Sequence, residues 1–481
     1  MSLDGLNFIL EKREVVPTVS ARDLLERAEQ VEADYRRHVR TYVPISRVAE
    51  GSGDQLSVER FERRVIKHVK EARAPRGYLT AEYGYGKTST ALYLWDRAEK
   101  ENLVVVPPFQ MLHLPDLIMA THGWIRYRLG TTRPDLVDRA DRLYEDTTSM
   151  SLKKAAQESN ASETTLRQWV KQGRFLLDLQ TSDYLSYFDS ATKLVQEAGF
   201  DGLIILPDEI QQYIEPQMRS GAGDPIAPFF NLIQGLATRE GYLCFGFILV
   251  IPLKEIGIIR DARGRGDLLD RMRELSLDLS TVYDQDFAKR LWNKLADEFG
   301  FSDIASDIVR PETLDALGEI ASRDDLSNGP RTVINTFRRM VQRYQSQGYA
   351  QTAAYTPIDL VDDLLSGGIQ FSGNNQIQNV TRTALQSGIV RADPERYEPA
   401  LKLAAAYPNN GVPLTVQRLY GVDAALDELM RTSLGDLVIA VGPIDQHGVT
   451  LVGLDRVQVQ REWLPQTIRD FRRAYSETHN D

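Results

Sequence analysis

The chain has 481 residues, of which 42% are hydrophobic and 26% are charged, and its formal net charge is −11. This composition is typical of a soluble globular protein, and the length exceeds one compact core, so we expect two or three domains. No uninterrupted apolar run is long enough to span a membrane. The acidic balance excludes a surface that is basic throughout, so any contact with nucleic acid must come from a local segment.

The N-terminus lacks the basic region and apolar stretch of a signal peptide. The one cysteine, Cys244, excludes an intrachain disulfide and a cysteine-based zinc site. Both features predict a reducing compartment, the cytoplasm.

The first predicted segment covers residues 1–50. A helical pattern runs from Ala21 to Tyr42, and a short apolar segment follows from Tyr42 to Val48. The glycine-rich sequence that begins at Gly51 breaks the chain, and Ser57 is placed to cap the next helix.

A strand-like run, Gly77 to Ala81, leads into the sequence A-E-Y-G-Y-G-K-T and then into a helical pattern. This order matches a phosphate-binding P-loop except for Ala81, which stands where the pattern has glycine. Glycines permit the positive φ angles that turn backbone N–H groups towards a phosphate, and the helix N-terminus adds to that attraction. The predicted nucleotide-binding residues are Gly84, Tyr85, Gly86, Lys87, Thr88 and Ser89.

Two of these residues have specific predicted roles. Lys87 would bridge the β- and γ-phosphates of ATP, and Thr88 would bind Mg²⁺. The alternative is a glycine-rich turn between a strand and a helix, with an exposed lysine.

Residues 151–175, SLKKAAQESNASETTLRQWVKQGRF, fit a helix-turn-helix whose second helix is capped at Ser162. The segment resembles the excisionase-like variety. In that arrangement Leu166 and Trp169 are core residues. The residues predicted to face double-stranded DNA are Thr164, Thr165, Arg167, Gln168, Lys171 and Arg174. The alternative is a helical insertion that packs on the rest of the protein.

An acidic pair, Asp208 and Glu209, follows the apolar strand Leu203 to Leu206. Asp208 would help to hold Mg²⁺, and Glu209 would act as the general base on the attacking water. The alternative is that Asp208 caps the helix that follows. Two further strands are predicted, at Leu103 to Val106 and at Tyr242 to Ile251. Apolar strands that alternate with helical segments predict a parallel sheet covered on both faces.

We predict an α/β fold with a P-loop core at 51–266 that contains the helical insert. A helical lid is predicted at 267–371, with Leu275, Leu277 and Leu279 among its first apolar positions. A smaller C-terminal α+β module would cover 372–481, with a hairpin of Asp436 to Val441 and Val449 to Leu454.

Four sequences together resemble the AAA+ ATPases of the origin-recognition-like branch. They are EYGYGKT, LPDEIQQYI, the stretch RGDLLDRMRELSLDLSTVYDQDFAKRLW and the sequence GPRTVINTFRRMV. Within that branch DEIQQYI is similar to the large ATPases of BREX-type bacterial phage-defence systems. The resemblance covers about residues 40–365.

The resemblance implies ATP hydrolysis with Mg²⁺, a homo-oligomer or assembly with other defence subunits, and a DNA-associated complex. It implies that Arg271, or Arg265 in its place, reaches the nucleotide of a neighbouring subunit, and that Arg331 contacts nucleotide within the same chain. A solvated helix charge is the alternative for Arg271. The family has a polar residue near the tip of the fourth strand, whereas this chain has Leu249 to Pro252 there. That departure favours a second hypothesis, a signalling or scaffold NTPase that binds ATP tightly and hydrolyses it slowly. A third hypothesis is a nucleotide-gated DNA-binding protein in which the helical insert is the functional part.

Overall fold

The structure is a computed structural model. It describes residues 19–48, 55–81, 84–159, 161–171, 177–214, 227–256, 272, 275–279, 284, 286–321, 329–348 and 354–355, and the strands 414–417, 429–431, 438–445, 448–452 and 456–459. The chain divides into two compact units. One is Val15–Val282, and the other comprises Met1–Glu14 and Tyr283–Asp481. The first unit therefore extends beyond the predicted core of 51–266 at both ends.

The strands are β1 (Ser46–Val48), β2 (Gln55–Ser57), β3 (Arg76–Ala81), β4 (Val104–Gln110), β5 (Leu203–Asp208), β6 (Phe245–Pro252), β7 (Leu275–Asp278), β8 (Leu414–Gln417), β9 (Leu429–Arg431), β10 (Val438–Asp445), β11 (Gly448–Val452) and β12 (Arg456–Val459). The helices of the first unit are α1 (Ala21–Glu26), α2 (Ala28–Arg40), α3 (Val58–Lys70), α4 (Lys87–Lys100), α5 (Asp116–Thr132), α6 (Val137–Ser159), α7 (Glu163–Lys171), α8 (Thr181–Glu197) and α9 (Ala227–Ala237). Those of the second unit are α10 (Phe287–Phe299), α11 (Ala305–Ile308), α12 (Pro311–Ala321) and α13 (Gly329–Ser346).

A five-stranded parallel sheet forms the centre of the first unit, in the order β4-β5-β6-β3-β7. The described strand residues of β5 and β6 are buried throughout, as expected for inner strands of a parallel sheet. The strand that was predicted to end at Val106 continues in β4 through Pro107 and Pro108 to Gln110, with a shift of register after Val106. Proline is tolerated there because β4 lies at the sheet edge and needs no N–H donor on its open side.

Helices cover both faces of this sheet. On one face, Phe245 and Phe247 of β6 contact the rings of Phe188 on α8 and Phe229 on α9. On the other face, a β-carbon added at Gly246 would lie 2.9 Å from the side chain of Val69 on α3, so glycine permits this close packing. The predicted α/β fold, with a parallel sheet covered on both faces, is confirmed.

The fifth strand, β7, corrects the sequence analysis. Residues 275–278 were assigned to the start of the helical lid, but they pair in parallel with β3 at the other edge of the sheet. Leu275 and Leu277 are buried, whereas Ser276 and Asp278 are half-buried. This alternation with a period of two is the sequence signature of a strand, and it was visible in SLDL.

Helix starts agree with the capping residues predicted from the sequence. The Ser57 hydroxyl accepts a hydrogen bond from the N–H of Arg60 at 3.0 Å, which caps α3. In the second unit α13 begins at Gly329, with Pro330 in its first turn, where proline is well tolerated.

The C-terminal part of the second unit contains a five-stranded sheet in the order β12-β11-β10-β8-β9. β10 and β11 pair as an antiparallel hairpin, with Ile439 opposite Val452 and Val441 opposite Thr450. The predicted hairpin is therefore confirmed. Among the described residues of both units, no helix is long and apolar enough to cross a membrane.

Candidate functional site

The loop between β3 and α4 has the backbone that phosphate binding requires. Gly84 and Gly86 have φ angles of 91° and 79°, in the left-handed region that favours glycine. Gly86 is the residue before the first helical position of α4, so its conformation turns the chain into that helix. An added β-carbon at Gly86 would meet no atom within 4 Å, which shows that conformation and not space requires glycine there.

Burial and one long side chain fix the described end of the loop. Tyr85 is 3% exposed and anchors the loop to the core. The Lys87 ammonium donates a hydrogen bond to the carbonyl oxygen of Ala81 at 3.0 Å, so it crosses the loop from the helix start to the strand end. The first N–H groups of an α-helix have no acceptor within the helix, so the start of α4 adds positive potential at the same place. This arrangement can bind an anion.

The acidic pair lies beside this loop because only β6 separates β5 from β3. The Thr88 hydroxyl donates a hydrogen bond of 2.7 Å to Oδ2 of Asp208, across 120 residues of sequence. The other oxygen, Oδ1, accepts from the backbone N–H of Glu209 at 2.7 Å. Neither oxygen caps the helical turn at 211–214, so the capping alternative for Asp208 finds no support.

Asp208 is 5% exposed. Burial raises its pKa to about 6, and the charge of Glu209 acts in the same direction, whereas the hydrogen bonds from Thr88 and Glu209 and the Lys87 charge lower it. A cation beside this carboxylate would favour its ionised form.

Mg²⁺ fits the donors that meet at this point. A hydroxyl and a carboxylate are the hard oxygen ligands that Mg²⁺ takes, and it commonly uses one or two protein carboxylates together with substrate phosphates and water. Among the described residues no group of three or more His, Cys, Asp or Glu side chains could hold a metal ion. Thr88 and Asp208 would hold Mg²⁺ together with the phosphates.

Glu209 occupies an unusual backbone conformation at the carboxyl end of β5. Its φ angle is 54°, in the left-handed region that a residue with a side chain rarely adopts, at a typical cost of about 1–3 kcal/mol. Its carboxylate accepts a hydrogen bond from the side-chain amide of Gln211. The strained residue lies next to the buried Asp208, at the position for which the sequence predicted a general base.

The sequence analysis missed the N-terminal part of the site. His38 Nε2 lies 3.0 Å from the Ser89 hydroxyl, and the Tyr42 hydroxyl lies 2.8 Å from that of Thr90. Ser89 and Thr90 directly follow Thr88 in the first turn of α4. The amphipathic pattern of residues 21–42 predicted a helix, but no sequence signal relates residue 38 to residue 89.

Ion pairs hold α2 along the rest of α4. The Arg36 guanidinium lies over the Trp95 ring, 4.1 Å from its centre, and 2.5 Å from a carboxylate oxygen of Glu99. Burial raises the pKa of Glu99 to about 7, although Arg128 and Arg36 lower it. These contacts pack α2 against α4.

The structure does not describe the side chains of the three predicted arginines. Arg265 and Arg271 lie outside them. Arg331 lies in the first turn of α13, in the second unit, and its side chain is not among those described. Their predicted roles stay predictions.

The end of β6 contains Leu249, Val250, Ile251 and Pro252, all buried, and Pro252 pairs with Ala81. The structure therefore supplies no polar side chain from this segment. Glu255, in the helical turn at 253–256 that follows, is completely buried. The sequence analysis did not select it, because a glutamate in a polar-apolar mixture carries no signal of burial.

Within the segment 151–175 the structure describes the end of α6, residues 161 and 162, and the whole of α7. α6 and α7 enclose a small core of Leu152, Leu166, Val170 and Leu177. The Ser162 hydroxyl accepts a hydrogen bond from the N–H of Thr165 at 3.1 Å, as predicted for the cap. The assignment of these helices to a helix-turn-helix stays a prediction.

Trp169 corrects that prediction in one respect. It was expected in the core, but it is 36% exposed. It lies three residues after Leu166, about 60° from it around the helix axis. Trp169 is therefore at the edge of the buried helix face that Leu166 and Val170 form. Helical spacing alone did not separate the edge of the stripe from its centre.

The predicted DNA-facing residues are placed differently from one another. Thr164 and Gln168 are exposed on α7, and Thr165 uses its hydroxyl on Ser162 at 2.8 Å. The Arg167 guanidinium lies 3.8 Å from the carboxylate of Glu145 on α6 and lines a cavity of about 410 Å³ beneath the insert. Lys171 is the last residue of α7, but its side chain is not described, and Arg174 lies outside the described residues.

Comparison with known proteins gives only distant likenesses. No family model matches the chain, and no curated protein matches it. Among solved structures, the chain is similar to Cdc6p from Pyrobaculum aerophilum with 13% identity and a TM-score of 0.35, covering 76% of this chain and 77% of that one. The Aeropyrum pernix ORC2 protein, in ADPNP-ADP complexes, shows 14% identity and a TM-score of 0.35, with 77% of each chain covered. The Aeropyrum pernix ORC1 protein, in complex with DNA, shows 13% identity and a TM-score of 0.28, covering 75% of this chain and 80% of that one. Likenesses of this degree carry no argument about activity.

Proposed function

We propose that this chain is a P-loop ATPase of the AAA+ kind that binds ATP with Mg²⁺ and hydrolyses it. The observation that carries the proposal is the 2.7 Å hydrogen bond between Thr88 and the buried carboxylate of Asp208, at the mouth of a glycine loop. A buried carboxylate destabilises the folded protein, because burial disfavours its charged form. A purely structural role for Asp208 therefore does not explain its position beside a helix start. Such a carboxylate is useful where a cation and phosphates come together.

Each part of the site has its own proposed role in binding or hydrolysing ATP. The backbone N–H groups that follow Gly84 and Gly86 bind the β-phosphate, and Lys87 turns from Ala81 towards the β- and γ-phosphates. Bound Mg²⁺ supplies positive charge that balances the negative charge of the phosphates. Glu209 accepts a proton from the water that attacks the γ-phosphate, and the product is ADP with inorganic phosphate.

Phosphate release from ATP tests this proposal directly. We expect turnover by the purified chain that requires Mg²⁺ and stops when the metal is removed with EDTA, because the phosphate charge is then unbalanced. Measuring the rate with and without double-stranded DNA separates a DNA-stimulated motor from a constitutive ATPase. ATP binding without measurable turnover would instead support a slowly hydrolysing scaffold NTPase, which the apolar end of β6 favours.

A second candidate function is DNA binding through α6 and α7. The exposed residues Thr164 and Gln168 on a capped second helix support it. We expect the double substitution Arg167→Ala with Lys171→Ala to weaken binding of double-stranded DNA. The slope of log K against log salt should fall by about one unit for each phosphate contact that is lost.

Glu145→Gln is the matched control for this experiment, because it breaks the contact with Arg167 and removes no positive charge. It should leave the affinity for DNA unchanged or raise it. Equal affinities and equal salt slopes in wild type and in the double variant would contradict DNA binding by this segment. They would support the alternative, a helical insertion that packs on the rest of the protein. Loss of binding in both variants would point to a structural effect of the ion pair.

The biological setting of this ATPase is a further part of the proposal. Assembly into oligomers and a place in bacterial phage defence rest on the sequence resemblance of DEIQQYI and its neighbours alone. Counting subunits by mass photometry with ATP present tests the first, and a chain that is monomeric under every nucleotide condition would contradict it.

A further inference from the structure

The side chain of Gln211 is buried beside the acidic pair and has one hydrogen-bond partner among the described residues. Gln211 is 7% exposed, and its amide nitrogen donates to Oε2 of Glu209. Its amide oxygen is buried and accepts no hydrogen bond from the described part of the chain. A buried amide oxygen without a hydrogen bond typically costs about 1–3 kcal/mol of folding free energy. Stability of the fold therefore does not explain why the Gln211 side chain is buried here.

The neighbouring glutamine shows the difference. Gln212 lies in the same helical turn but is exposed, and its amide oxygen accepts from the side chain of Gln110 on β4. Among the described residues its side chain makes no hydrogen bond to the acidic pair, and only its backbone N–H donates to the Glu209 carbonyl oxygen, at 2.9 Å. Of two adjacent residues of one type, one is therefore turned inwards to a proposed catalytic carboxylate, and the other bonds to the sheet edge.

Glu209 needs such support more than an ordinary surface glutamate does. It has the left-handed backbone conformation, and its N–H donates to Asp208, which fixes the main chain. The carboxylate lies beyond three side-chain torsions that the backbone does not fix. A general base must lie within hydrogen-bond reach of its water, and a displacement of about 1 Å can lower the rate on the order of a hundredfold.

We propose that Gln211 is a positioning residue for hydrolysis, which holds the Glu209 carboxylate through one oxygen and leaves the other for the attacking water. The inference rests on the proposed function. It predicts that Gln211 acts on the rate of hydrolysis through Glu209 and has no part in binding ATP.

A double-mutant cycle tests this directly. Gln211→Met keeps the length and most of the volume of the side chain and removes the amide. We expect kcat to fall on the order of tenfold to a hundredfold, with KM and the affinity for ATP unchanged. In a chain that already carries Glu209→Gln, the same substitution should lower kcat no further, because the carboxylate that Gln211 holds is then absent.

Gln212→Met is the matched control, and it should retain wild-type kcat. If Gln211→Met does not fold, which loss of ATP binding would show, Gln211→Glu provides the second test. This substitution keeps the side-chain shape and replaces the hydrogen-bond donor with an acceptor. Wild-type kcat in the Gln211 variants overturns the inference, as does a raised KM or a full additional loss on top of Glu209→Gln.

These outcomes are distinct from failure of the proposed function. If the wild-type chain does not hydrolyse ATP, both the ATPase proposal and this inference fall. If wild type hydrolyses ATP and Glu209→Gln is slow while Gln211→Met is not, only the inference about Gln211 falls.

Discussion

Lys87→Ala is expected to abolish measurable ATP binding. The Lys87 ammonium lies at the start of α4 and reaches across the loop to the Ala81 carbonyl, so it borders the space that the glycine loop encloses. Removing a cation that is hydrogen-bonded to a bound phosphate leaves the phosphate charge uncompensated, at a typical cost of about 2–5 kcal/mol. An increase in Kd of roughly thirtyfold to several thousandfold follows. Isothermal titration calorimetry with ATP and Mg²⁺ measures it.

The fold should survive this substitution, because Lys87 is only half-buried and the loop is anchored by the buried Tyr85. Lys193→Ala is the charge-matched control. Lys193 is exposed on α8, and its loss should leave the affinity for ATP unchanged. Unchanged affinity in Lys87→Ala itself, with a normal melting transition, would contradict the P-loop assignment.

Glu209→Gln is expected to keep ATP bound and to slow its hydrolysis by roughly a hundredfold or more. The substitution preserves side-chain shape and the left-handed backbone, since glutamine tolerates that conformation no worse than glutamate. The amide cannot accept the proton of the attacking water. ATP affinity by calorimetry and single-turnover phosphate release together separate binding from the chemical step.

Glu158→Gln, at an exposed position on α6, controls for the loss of one negative charge. It should hydrolyse ATP at the wild-type rate. Wild-type turnover in Glu209→Gln would assign Glu209 a structural role at the end of β5. A Glu209→Gln variant that no longer binds ATP would indicate that the carboxylate supports the site and not the reaction.

The local features of the site could be predicted from the sequence. The strand before the glycine loop, the helix after it and the buried strand before Asp208 all have short-range signals of apolar runs, glycine and capping residues. The same holds for Ser57 and Ser162, whose hydroxyls cap the helices that follow them. Each of these signals acts over a few residues, so a single sequence is sufficient to detect it.

Patterns that fit two structures were not resolved by the sequence. Leu275, Leu277 and Leu279 were assigned to a helix, although their alternation fits the strand β7 that the sheet edge accepts. Trp169 was assigned to a core because it shares a helical face with Leu166, but the partner surface was too narrow to cover it. In both cases the packing surface that another part of the chain provides determined the structure.

The sequence by itself determined that a glycine loop, a lysine and an acidic pair exist, because each depends on residues that are adjacent in the chain. Only the tertiary structure decided that Thr88 meets Asp208 across the sheet, that His38 meets Ser89, and that Gln211 and not Gln212 turns to Glu209. Two of these contacts join residues far apart in sequence, and the third depends on which side of a single helical turn faces the core. Such contacts are fixed by packing of whole elements, which no short stretch of sequence encodes.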